Sequence, residues 1–242
     1  MREKVTSFIE AYVKDASHLR KPLVGFADCA SPMIPELKKV VLPGHEMPQD
    51  ILPDPKIIIS YFLPFRKEVA LSNVSGRYAS ETWKESYDET NRLIASLNDA
   101  LVEYIHDMGF RAAYSKKTSQ VSKEILMSCW SQRHIAEIAG LGKFGLNNLL
   151  ITRVGSCGRF GSVVCDLPIV PDLPETEERC LYKLTGGCMK CVKNCPVKAL
   201  REDGFLRVMC QANEERCDTD ICGKCAVNIP CGFLMNDHRR EL

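Results

Sequence analysis

The sequence predicts an α+β protein, with a mixed helix-and-strand layer domain over residues 1–175 and a small cysteine-dense module over 176–242. Three observations predict it. Helical and strand periodicities interleave through the first 170 or so residues, the pattern of a layered core. A proline- and acid-rich stretch, VPDLPETEER, then changes the composition as a linker does. Beyond it lie nine of the thirteen cysteines.

The elements follow in order. Val5, Phe8, Ile9, Tyr12, Val13 and Ala16 share one face of an amphipathic helix over residues 5–16, closed by Lys21-Pro22. LVGFAD reads as a short buried strand. Residues 31–55 hold six prolines and are expected to be largely loop, because each proline removes a donor and fixes a torsion. IIISYFLPF is apolar on both alternating faces, with Ser60 the one polar residue, as a strand buried on both faces should be. Ile94, Leu97, Leu101, Tyr104, Ile105 and Met108 mark a helix from about Glu81 to Met108, with Gly109 where a left-handed cap belongs. A short strand over Phe110–Tyr114 and a helix over Trp130–Ala139, ending at Gly140, come next. NLLIT and GSVVCDLPI read as two strands on either side of a glycine-rich turn.

Composition excludes several classes. Thirty-two basic residues against 31 acidic ones give no field for gathering nucleic acid. The longest apolar run, Ile57 to Phe65, contains Pro64 and is far shorter than the roughly twenty residues of a membrane helix. Charges interrupt the N-terminal stretch where a secretory signal needs an apolar core. An odd, unevenly placed set of cysteines is not a secreted disulfide framework, so a reducing cytoplasm is the expected location.

The cysteines carry the chemistry. Cys188-x2-Cys191-x3-Cys195-Pro196, with Cys222-x2-Cys225-x5-Cys231 downstream, approaches the spacing of bacterial ferredoxins. There the last cysteine of the run ligates the other of two four-iron clusters. Iron in a sulfide-bridged cube is soft and takes four thiolates. Two cubes need eight, and the module offers nine. The run's first cysteine would fall at Thr185, and Cys180 upstream substitutes for it. Crossed ligation then gives one cube Cys180, Cys188, Cys191 and Cys231. The other takes Cys195, Cys222, Cys225 and either Cys210 or Cys217. Zinc is the alternative metal, but it explains neither the Cys-Pro ending nor nine cysteines in one tract. Cys29, Cys129, Cys157 and Cys165 are isolated and read as small buried hydrophobes.

SQRHIAEIAGLGKFGLNNLLIT places Gly140, Gly142 and Gly145 after a helix and before a strand, the reverse of a dinucleotide fingerprint. Two readings stand side by side. One is a connection where backbone meets backbone. The other is a loop that lets a cofactor approach, with Arg133, His134 and Asn147 as polar handles.

RHIAEIAGLGKFGLNNLLIT, GRFGSVVCDLPI and CLYKLTGGCMKCVKNCPVKAL, with YFLPF and WKESYDETNRLI upstream, together resemble the epoxyqueuosine reductase family and its short iron–sulfur relatives. The resemblance implies a nitroreductase-like domain followed by a bacterial-ferredoxin-like module with two 4Fe–4S clusters feeding a corrinoid (cobalamin), a core shared with reductive dehalogenases. It also implies Cys210 as the eighth ligand, because that family has a cysteine after a stretch like DGFLRVMC. No Asp-x-His-x-x-Gly motif is present, in keeping with a corrinoid that takes no histidine from the protein. Full-length members continue into a helical-repeat region that helps engage transfer RNA. This chain ends at Leu242, so nucleic acid is not the expected substrate. The family's proton-donating aspartate has no match in VSKEILMSCWSQRH, where Glu124 is the nearest acid; His134 or Tyr114 are the replacement candidates. The expected protein is an oxidoreductase passing single electrons from a soluble donor, of ferredoxin or flavodoxin type, to a cofactor or small molecule in the N-terminal domain. The alternative is a non-enzymatic electron carrier or adaptor with no N-terminal cofactor; a zinc module ranks third.

Overall fold

In the computed structural model, which describes residues 1–118, 122, 126–216 and 221–234, the long apolar run becomes a central strand of a four-stranded antiparallel sheet. The elements are α1 Arg2–Val13, β1 Leu23–Asp28, α2 Met33–Val40, α3 Pro48–Ile51, β2 Ile57–Pro64, α4 Lys67–Ser72, α5 Glu81–Asp107, β3 Ala112–Ala113, α6 Gln132–Ile138, β4 Gly142–Phe144, β5 Leu150–Thr152, β6 Gly158–Cys165, α7 Leu181–Thr185, α8 Lys190–Asn194 and α9 Arg207–Arg216. The sheet order is β1-β2-β6-β3, and β4-β5 form a separate pair. None of the helices among the described residues is long and apolar enough to cross a membrane.

Strand alternation sorts the core into two faces. Ile57, Ile59, Tyr61 and Leu63 of β2 join Val163 and Cys165 of β6 in packing against α1 and α5. Ile58 and Val164 face the other way, with Ile34 and Leu37 of α2 and Ile135 and Ile138 of α6. Both faces being covered is why β2 carries no polar alternation, even though its neighbours run antiparallel.

Both long-range helix stops were visible in sequence. Gly109 at φ +83° lets its N–H reach His106 O and that of Phe110 reach Ile105 O; Gly140 at φ +72° does the same on Glu137 and Ala136 through Leu141. Ser80 caps α5 by accepting from the Trp83 N–H at 3.2 Å.

Four expectations are corrected. Residues 31–55 are not largely loop: α2 and α3 form there, because Pro32, Pro35 and Pro48 sit at the cap or first turn, where a helix loses no hydrogen bond to proline. α1 stops at Val13 rather than residue 16, as the chain turns to bring Leu19 beside Phe65. The GSVVCDLPI strand is displaced to Gly158–Cys165, where it pairs with the whole of β2. The glycine-rich stretch itself contains β4, which sequence periodicity cannot register in three residues.

Tyr61 is fully buried, and its hydroxyl donates to Asn98 Oδ1 at 2.7 Å across the sheet–α5 interface. Tyr61→Phe leaves that amide oxygen without its donor in the core. The expected loss is about 1–3 kcal/mol, read as a lower urea midpoint at unchanged slope.

Candidate metal centre

Each thiol of the module is placed by a local device. Cys180 precedes α7, which ends at Gly186 in the left-handed region (φ +71°), and the reversal brings Cys188 back toward it. Cys191 lies within α8 and Cys195 caps its end, just before Pro196. Cys231 arrives from the opposite end of the module. The fold gathers Cys180, Cys188, Cys191 and Cys231 around one recess, together with Leu146, Asn147 and Ile229.

The remaining thiols form a second group. The Cys225 thiol feels, after burial, Cys210, Cys222 and Cys195 and then Cys191 of the first group, and Cys210 in turn feels Glu214, Cys222 and Cys195. Cys217 and Glu124 lie outside the described residues.

Each group has a backbone donor aimed at sulfur: Leu146 N–H to Cys180 Sγ and Leu200 N–H to Cys195 Sγ, both at 3.5 Å. Apolar side chains of Ala199, Leu200 and Ile229 enclose the space between the groups. Burial first, then the neighbouring thiols Cys180 and Cys191, pushes Cys231 up to about 12. Burial and the Glu214 carboxylate push Cys210 up to about 12, and burial and Cys210 raise Cys225 further. Four thiols held this close cannot all ionise by themselves. A cationic iron core removes that conflict by taking every sulfur as thiolate. Among the described residues no three His, Cys, Asp or Glu side chains converge tightly enough for a single ion. Zinc needs its donors about 2.3 Å from one point, whereas a cube takes them at four separated corners. Thiols spread around a recess suit a sulfide-bridged cube better than a single zinc ion.

The second group is built into the N-terminal domain. Asn73 Nδ2 donates to Cys222 O at 3.0 Å, and Lys224 Nζ donates to Asn73 O and Ser75 O, both at 2.8 Å. Gly223, at φ +69°, sits so close to Trp83 that a Cβ would lie 2.4 Å from the indole. Cys157 Sγ donates to Ala226 O at 3.1 Å, and Ala226 and Val227 belong to the main core. Asn147 bridges the groups: it lines the first recess and donates to Cys225 O at 3.3 Å. Sequence reasoning missed Asn73, Trp83 and Lys224; only the charged residue lodged inside Cys222-x2-Cys225 offered a signal.

The other candidates separate. Arg133 donates to Asn148 O, and its charged neighbours include Arg159, Arg207 and Cys225, which puts it beside the second group. His134 shares a 2.7 Å hydrogen bond with Ser131 Oγ, and burial followed by Arg133 pushes its pKa down to about 4. Tyr114 lies elsewhere, half-buried against the main core, with its hydroxyl donating to Asp99 Oδ1 at 2.6 Å. Gly140 and Gly142 meet backbone: a Cβ would come 2.4 Å from Leu173 O and 2.3 Å from Ile151 O. Gly140 lines a different, polar recess of about 270 Å³ with Arg2, Arg153 and Asp172. That volume is below the roughly 300–1,000 Å³ of pockets for drug-sized ligands, and a corrinoid is larger still. Neither recess fits one.

In the unfolded chain His134 protonates near 6.5, and in the fold only near 4. Its contribution to stability is therefore present above 6.5 and is lost as pH falls through about 4. An imidazole NMR titration with a midpoint near 4 is expected; a midpoint near 6.5 would contradict the burial.

No family model matches the sequence. Among curated proteins, the epoxyqueuosine reductase of Listeria monocytogenes is 29% identical over 174 residues, covering 69% of this chain and 41% of that protein. The tetrachloroethene reductive dehalogenase of Desulfitobacterium hafniense is 26% identical over 183 residues, covering 70% of this chain and 30% of its own. Among solved structures, the epoxyqueuosine reductase of Streptococcus thermophilus superimposes with a TM-score of 0.59 at 15% identity, covering 98% of this chain and 68% of that one. The chain spans about two fifths of the length of the first of these curated relatives.

Proposed function

We propose that the chain, which is similar to epoxyqueuosine reductases, is a reductase using two 4Fe–4S clusters to pass single electrons to an acceptor in the N-terminal domain. One observation carries the reading: chain segments far apart in sequence deliver eight thiols as two sets of four, Cys180, Cys188, Cys191 and Cys231, and Cys195, Cys210, Cys222 and Cys225. Iron–sulfur cubes, when bound, supply one-electron storage at potentials that charge and hydrogen bonds to sulfur tune. The chain's own residues do the rest. Leu146 and Leu200 direct N–H groups at sulfur, Asn147 couples the sets, and Asn73, Trp83 and Lys224 fix the second set against the N-terminal domain. The nitroreductase-like character of that domain and the ferredoxin-like character of the module belong to this proposal, as do the boundary at residues 175 and 176 and a cytoplasmic location.

The acceptor is a small molecule or a cofactor reached beside Arg133, His134 and Asn147; with its pKa pushed down to about 4, His134 is a neutral hydrogen-bonding group there rather than the acid. The corrinoid implied by the resemblance is larger than either recess described. The second reading is an electron carrier without an N-terminal cofactor.

Protein purified without oxygen is expected to be brown, with broad absorbance near ~400 nm bleached by dithionite, and to hold about eight irons and eight sulfides per chain. Colourless protein containing zinc would defeat the proposal. New absorption bands on anaerobic addition of cobalamin or flavin select the enzyme; their absence selects the carrier.

A further inference from the structure

The segment from residue 179 to 201 contains six lysines and arginines and no aspartate or glutamate. Lys183, Lys190, Lys193, Lys198 and Arg201 are exposed, and none of these five stands in an ion pair among the described residues. Glu202 and Asp203 follow only at the margin, and Glu202 is engaged by the Tyr182 hydroxyl at 2.7 Å. Within this basic stretch Leu181 is 39% and Leu184 56% exposed. Leu181 also lines the recess of the first thiol group, so the recess reaches the surface beside an apolar patch.

We propose that this face, built from α7, α8 and the Cys195–Arg201 turn, docks an acidic one-electron carrier protein of the flavodoxin class, delivering electrons beside Cys188. The inference rests on the two-cluster reading above. Charge complementarity selects the partner: an uncompensated basic rim around exposed leucines fits an acidic protein whose own contact surface is partly apolar. An RNA partner would call for aromatic side chains on which bases stack. The aromatic residue here, Tyr182, is turned to Glu202. The step is a one-electron exchange. The carrier's anionic flavin hydroquinone gives up one electron to become the neutral semiquinone, with no proton lost, the cube is reduced by that electron, and no bond forms between the proteins.

The test pairs the iron-loaded wild-type chain with the double variant Lys193→Glu/Lys198→Glu. Stopped-flow reduction by an acidic flavodoxin hydroquinone is expected to slow by about tenfold at low salt, with its salt dependence flattened. Bleaching by dithionite should be unchanged, and Lys4→Glu/Lys14→Glu, reversing charges on the N-terminal helix and just beyond it, should leave the rate alone. An equal slowing by both double variants, or no slowing by the first, overturns the docking face. So does loss of binding to a short RNA stem-loop with the flavodoxin rate intact. Binding of oxidised flavodoxin, followed by titration of both chains, reads the surface independently of electron flow. If the wild-type chain holds no iron, the parent reading fails, while this arm still decides whether the face binds the carrier.

Discussion

Cys231→Ala is expected to halve the iron and sulfide content, from about eight of each to about four, and to leave the remaining cube reducible. Cys231 is the one member of the first set contributed by the 221–234 segment; Cys180, Cys188 and Cys191 lie on or beside α7 and α8. Its removal opens one corner of the cube and also unfastens the two halves of the module. The module's own apolar cluster is small, centred on Ala199, Leu200 and Ile229, so the metal supplies much of the reason for it to fold. Faster proteolysis around α7 and α8 should accompany the iron loss. Cys210→Ala should halve the iron as well, but from the other set. Iron analysis and electron paramagnetic resonance of both variants decide the assignment: full iron content in Cys231→Ala means that the crossed pattern is wrong.

The second large effect is mechanical. Gly155 has φ +104°, and a Cβ there would lie 2.5 Å from Gly232 O. The contact belongs to a seam in which Ser156 and Cys157 both donate to Gly232 O at 3.1 Å and Leu234 donates to Val154 O. Arg20 stitches the same seam, donating to Val154 O at 2.9 Å while lying over the Phe233 ring. In Gly155→Ala the backbone must leave a region alanine avoids, and the seam must part. The expected cost is about 3 kcal/mol or more, a fall in Tm of roughly 6–12 °C. Gly76→Ala is the control, because Gly76 has φ +73° with nothing within 4 Å of its Cβ position. It should show the torsional part alone, about 1 kcal/mol. Equal losses at both positions would mean that the seam carries no load.

The legible parts of the sequence were those with dense local signals. β2 announced itself by a nine-residue run in which Ser60 is the one polar side chain, and α5 by its stripe and by Gly109. The cysteine spacing suggested two sets of thiols and left the fourth member of the second, Cys210 or Cys217, open. The illegible parts depend on position rather than on residue type. Pro32, Pro35 and Pro48 break a helix in its interior and start one at its first turn, and composition alone does not say which. Gly140 and Gly142 look alike whether they admit a ligand or a carbonyl, and only packing shows Leu173 O and Ile151 O against them. Asn73 and Trp83 touch the second set from some 140 or more residues away, beyond the reach of any spacing rule.

Ala226 and Val227 share the main core with β2 and α5 while flanking the Cys225 loop. Were the second set to hold a cluster, stripping it would loosen two apolar side chains that the main core shares, and the loss would register as a lower melting temperature of the N-terminal elements as well as of the module.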